Sequence, residues 1–105
     1  MKLYHATKAT RNQGEMEVAE RIVDEGFRGG DVWDLTNVVF LASKPLTGFG
    51  GWQDAWVVVD VPDNKLELGA YPEKYYDDEQ YHCQCFAFKA RTINKFPRYA
   101  TTEKE

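Results

Sequence analysis

Hydrophobic and polar positions alternate along this chain in short bursts, and the periods of those bursts predict its elements. KLYHA, at 2–6, has the make-up of a strand and reads as an edge-like first strand. GEMEVAERIVDEGF, at 14–27, changes period: Val18, Ala19, Ile22 and Val23 form one apolar stripe, while Glu17, Glu20, Arg21, Asp24 and Glu25 take the opposite face. That spacing predicts an amphipathic helix. Asn12 with Glu15 three residues on has the form of a capping box, and Gly26 is the expected C-terminal stop.

Downstream, RGGDVWDLTN reads as a loop, VVFLA as a short buried strand, and SKPLTGFGG as a Gly-rich loop whose proline excludes a helix. AWVVVDV is β-branched and stopped by PDN, which makes it the strongest strand signal in the chain. KLELG suggests a short strand with Leu66 and Leu68 inward, and AYPEKYYDDEQY a polar loop studded with aromatics. HCQCFAFKA reads as the last strand, with Cys83, Cys85 and Ala87 on one face and His82, Gln84, Phe86 and Phe88 on the other. One helix among several short strands predicts an α+β domain with a split or curled, mixed or antiparallel sheet. A doubly wound sheet would need a helix after each parallel strand. Residues 1–100 form the expected domain and TTEKE, at 101–105, a frayed tail.

Length and composition narrow the function. A chain of 105 residues holds one core, so any site must be cut into that core. The net charge of -4 disfavours a broad grip on nucleic acid, but leaves room for a small anionic ligand held locally. No apolar run approaches the roughly 20 residues of a membrane span, and the N-terminus has no signal-peptide pattern, so the expected location is cytoplasmic. Aromatic residues reach 14%, enough to serve either as core filler or as platforms for ring stacking. Cys83 and Cys85 are the only cysteines. Tetrahedral zinc would need two further ligands, and only His82 is adjacent while His5 is distant, so the pair reads as structural reduced thiols and no metal is expected.

His5 sits on the first strand just before Thr7 and Lys8, and three roles fit it: a packed residue with satisfied ring nitrogens, a metal ligand, or a group that holds a substrate. YHAT, then an amphipathic helix ending GF, then a VFLA strand and a Gly-containing loop together resemble the core of the ADP-ribosyltransferase superfamily. That superfamily includes the poly(ADP-ribose) polymerase catalytic domains and their small prokaryotic relatives, whose opening strand carries a YHGT-like motif. The resemblance implies that His5 binds a ribose hydroxyl of NAD, and that the residues after it, Thr7 among them, hold the nicotinamide amide through main-chain groups. NVVFLASKP resembles the family's next strand. By that likeness Phe40 is the aromatic beside the nicotinamide, and Ser43, Thr47, Phe49 and Trp52 are candidates for amide bonding and a second ring contact. Core packing is the competing role for Phe40.

CQCFAFKARTINKF resembles the family's closing segment: a strand, a short turn, an Ile, then a final strand or turn. Aligning Ile93 with the family's Ile puts Gln84 where these transferases carry their catalytic Glu. A neutral Gln keeps a hydrogen bond to the ribose but not the charge that stabilises an oxocarbenium-like centre. Glu79, Asp78 or Asp77, from the acidic loop before the strand, are the alternative carboxylates; a solvated acidic loop is the competing reading. Lys8, Arg11 and Arg28 suit a pyrophosphate, or are ordinary surface charge. The Arg cluster of relatives that remove an RNA 2′-phosphate is missing. The implied activity is loss of nicotinamide from NAD and transfer of ADP-ribose to an acceptor the sequence does not identify, a protein being one option. The alternative is a catalytically degenerate module of the same fold that binds NAD, ADP-ribose or a protein partner.

Overall fold

The computed structural model describes residues 1–32, 35–46, 55–69 and 83–102. In chain order these form β1 (Lys2–Ala6), α1 (Glu15–Glu25), β2 (Gly30–Val32), β3 (Leu35–Ala42), β4 (Trp56–Asp60), a 3-10 segment (Asp63–Gly69), β5 (Cys85–Lys89), the single turn α2 (Ala90–Ile93) and β6 (Arg98–Thr101). The strands run in the order β2-β3-β1-β4-β6, with β5 also paired to β3. Every pairing is antiparallel. The chain is a small α+β domain, as its hydrophobic periods predict.

Registers show which residues share a face, because residues paired across a ladder point the same way. Leu3↔Val59 and His5↔Val57 join β1 to β4, and Val39↔Phe88 and Leu41↔Phe86 join β3 to β5. Leu3, Val39, Leu41, Val57, Val59, Phe86 and Phe88 all belong to the main core, which also takes in Ala19 of α1, Phe27 and Ile93. The opposite face carries a second cluster of Tyr4, Trp56 and Val58. Both faces are buried, so AWVVVDV needs no polar alternation: Trp56 through Val59 are all at most 1% exposed.

Helix α1 forms where its stripe predicts. Ala19 is fully buried, and Met16, Ile22 and Val23 pack against the core. Gly26 ends it at φ 91°, a conformation that favours glycine, and its N–H donates to the Ile22 carbonyl at 2.8 Å. Arg98 of β6 completes the end: its Nε lies 3.1 Å from the carbonyls of both Ile22 and Val23. A cation thus arrives from another element where the last turn of α1 has none.

Several expectations are corrected. β1 is not an edge strand but lies between β3 and β4, fully paired with β4 along its length. The capping box does not form. The N-cap is Gly14 with no side-chain bond, because Thr10 and Gln13 bond each other's main chain and place Asn12 in the turn between them. RGGDVWDLTN contains β2 and the start of β3, where Asn37 takes φ 58°, a conformation Asn tolerates better than most residues. KLELG lies in a 3-10 segment: Leu66 packs on the core but Leu68 is 55% exposed. HCQCFAFKA is not the last strand, since Ala90 already opens α2 and β6 follows. Thr101, the first residue of TTEKE, pairs with Trp56 in β6. AYPEKYYDDEQY and, from Thr47 on, the SKPLTGFGG loop lie outside the described residues.

Candidate functional site

The seam between β1 and β3 sets the geometry of the site. Its register contains one pair, Tyr4↔Ala42, and continuing it would set Ala6 opposite Phe40. Instead the Phe40 carbonyl meets a side chain: His5 Nδ1 lies 2.8 Å from it. A carbonyl only accepts, so Nδ1 carries the hydrogen and donates. Burial pushes the His5 imidazole below its ordinary pKa, outweighing the upward pull of the Phe40 carbonyl. The ring is therefore neutral at pH 7 with its hydrogen on Nδ1, which leaves Nε2 an unprotonated acceptor. That tautomer suits a ligand that offers a hydroxyl.

The aromatic neighbour of His5 is Phe27, whose ring meets the imidazole edge to face at 5.2 Å between centroids and 87° between planes. Strand alternation puts the Phe40 ring on the other side of the sheet: Phe40 pairs with Ala87, while its neighbours Val39 and Leu41 face the main core. Phe40 thus serves His5 through its carbonyl.

Two further predicted residues meet at the end of the β3–β5 ladder. Ser43 N–H donates to the Gln84 carbonyl at 2.9 Å, and Gln84 N–H donates to Ser43 Oγ at 3.1 Å. The hydroxyl hydrogen of Ser43 remains able to donate onward. Both residues are half-buried, Ser43 directly after β3 and Gln84 directly before β5, next to the Ala42↔Cys85 pair that ends the ladder. His5 of β1 shares its face with Leu41 of β3 and Phe86 of β5, and Ser43 and Gln84 flank the ends of those two strands.

Thr7 is 2% exposed and its groups are committed to the main chain. Its N–H donates to the Ala55 carbonyl at 3.1 Å, and its Oγ1 lies 2.9 Å from that same oxygen and 3.1 Å from the Glu15 carbonyl. It ties the exit of β1 to the entry of β4 and the first turn of α1. Lys8, Arg11 and Arg28 are exposed, the first following Thr7 and the last following Phe27. Trp56 Nε1 donates to the Leu46 carbonyl at 3.0 Å, which anchors the segment after Ser43 on β4. Glu79, Asp77, Asp78, Thr47, Phe49, Trp52 and His82 lie outside the described residues. Cys83 is buried and Cys85 half-buried, and neither is in a disulfide. Among the described residues no group of three or more His, Cys, Asp or Glu is placed to hold a metal ion. None of their helices is long and apolar enough to cross a membrane.

The sequence reading missed Phe27 and Asn94. The helix-ending GF pair signals the first, since a large apolar residue just past a helix stop commonly folds back on the core. Nothing in the local pattern signals the Asn94 side chain, whose partner Phe27 is 67 residues away. No family model, curated protein or solved structure matches the chain.

Proposed function

We propose that the face around His5 binds NAD and that the protein is an ADP-ribosyltransferase-like enzyme, which removes nicotinamide and passes ADP-ribose to an acceptor. The single observation that carries this reading is the His5 tautomer. An imidazole whose Nδ1–H is held by the Phe40 carbonyl presents Nε2 as an acceptor, the role a ribose hydroxyl requires. Ser43, whose hydroxyl can still donate, suits the carboxamide oxygen of nicotinamide. Lys8, which follows Thr7, and Arg28, which follows Phe27, are the cations assigned to the pyrophosphate. Thr7 fixes the end of β1 rather than reaching the ligand. The resemblance of YHAT and NVVFLASKP to the family's strands supports the same assignment.

The reacting ribose needs a negative charge nearby, because positive charge builds on it as nicotinamide leaves. Gln84 supplies an amide, so an active enzyme draws its carboxylate from Glu79. Gln84 equally favours a second reading, a module of the same fold that binds NAD or ADP-ribose without turnover. Nicotinamide release from NAD separates the two. In an active enzyme Glu79→Gln lowers turnover by orders of magnitude with NAD affinity nearly unchanged, as expected for an interaction made mainly in the transition state. In a degenerate module the wild type releases nothing above background, and Gln84→Glu starts slow hydrolysis. Robust turnover indifferent to both substitutions contradicts the assignment of chemistry to this end of the chain.

A further inference from the structure

The imidazole of His5 is only as well placed as the ring it stands against, and that ring is held from the far end of the chain. Phe27 follows Gly26, the helix stop, and its main chain belongs to no strand. Its N–H and C=O are both taken by one side chain: Phe27 N–H donates to Asn94 Oδ1 at 2.7 Å, and Asn94 Nδ2 donates to the Phe27 carbonyl at 3.1 Å. The Asn94 amide thereby imitates a paired strand residue, satisfying donor and acceptor together. Its fit is close, for a Cβ added at Gly26 would sit 3.2 Å from the Asn94 amide.

Asn94 is itself fixed from two sides. Its N–H donates to the Ala90 carbonyl at 3.0 Å as the C-cap of α2, and its own carbonyl accepts from Arg98 Nη1 at 3.1 Å. Arg98 also holds the end of α1. The fully buried Ile93 precedes Asn94 and anchors the turn in the core. Phe27 is therefore gripped at its peptide and 5% exposed at its residue surface, and its ring has little freedom to retreat from the imidazole.

From this geometry we infer that Asn94 is a positioning residue for His5, acting through the main chain of Phe27. This rests on the NAD-binding reading for its functional meaning, but its physical content is independent of it. Loss of the Asn94 amide frees Phe27, opens one wall of the imidazole and lets water compete for Nδ1–H. Nε2 then no longer points as a fixed acceptor.

Nitrogen-15 NMR of the imidazoles in the full chain reads this without any ligand, His5 and His82 being the only histidines. In the wild type, His5 Nδ1 has the shift of a protonated ring nitrogen and Nε2 that of an unprotonated one. In Asn94→Ala those two shifts move toward each other as tautomers mix, and the His5 titration moves up toward its ordinary value. Phe27→Leu, which keeps the peptide clamp and removes the ring, produces the same change. Val61→Ala, a core truncation just beyond β4 and roughly 13 Å of extended chain from Val57, is the control for lost stability alone and leaves the shifts as they are. Should Asn94→Ala not fold, Asn94→Asp keeps the acceptor for Phe27 N–H, loses the donor, and gives the same shift in smaller measure. A folded Asn94→Ala or Asn94→Asp protein with wild-type His5 shifts and titration overturns the inference. NAD calorimetry distinguishes the two levels: shifts that move while NAD fails to bind the wild type leave the positioning role standing and remove the NAD reading. NAD affinity about threefold or more weaker in Asn94→Ala supports both.

Discussion

Thr7→Val tests whether the wall of the site is made of ligand contacts or of structural bonds. Valine matches threonine in shape, so the substitution deletes one hydroxyl and creates little cavity. The loss is read from what the hydroxyl touches. Ala55 keeps its bond from the Thr7 N–H, and the Glu15 carbonyl sits in the first turn of α1, where the helix ladder supplies an N–H. No buried carbonyl is left bare, so the cost is that of one net hydrogen bond, about 1 kcal/mol. For a domain of this size that is a fall in melting temperature of about 4–8 °C. Thr7→Ser keeps the hydroxyl and loses a buried methyl, costing roughly 0.8 kcal/mol by a different route. Circular-dichroism melts measure stability, and calorimetry with NAD measures any ligand role. The expected result is two modestly destabilised proteins with NAD affinity within about twofold of wild type. An unchanged melt with a large loss of NAD affinity in the valine variant would refute the assignment of Thr7 to the scaffold.

Two further outcomes follow from the same packing. Gly69→Ala drives a methyl into the ring of Phe88, which is fully buried and has no room to yield, and should cost roughly 1–3 kcal/mol in urea unfolding; a neutral result contradicts the close approach at that corner. Because burial lowers the folded-state pKa of His5, the unfolded chain binds more protons below about pH 6.5, so stability is full above that pH and falls as pH drops toward the folded-state value. Urea midpoints compared between about pH 7.5 and 5 should therefore drop less in His5→Gln than in the wild type, and an equal drop in both places the acid sensitivity elsewhere.

How far the sequence could be read depends on whether local pattern or distant pairing decides each element. Helix α1 and strand β4 are written in periods that survive any context: a stripe of Ala19, Ile22 and Val23, and a β-branched run from Val57 to Val59. β2 is only three residues long and begins with glycine, and it is a strand because β3 lies beside it. Leu66 and Leu68 alternate as a strand would, yet PDN starts a 3-10 turn that sends Leu68 to the surface. At the site, the motif around His5 marks the residue but not its state. That state comes from the Phe40 carbonyl across the seam and from Phe27, which no spacing within YHAT can encode. The place of Phe40 beside Ala87, and the fact that its ring lies away from the face of His5, come from the strand registers and are not written in either segment alone.

The most direct test of the central claim is a titration of NAD into the nitrogen-15-labelled protein while observing His5. A ribose hydroxyl that donates to Nε2 shifts that resonance saturably at up to roughly millimolar NAD, while Nδ1 keeps its hydrogen on the Phe40 carbonyl and its shift stays in place. His5 resonances that do not move, in a protein whose other signals show it folded, would contradict the assignment of this face to NAD.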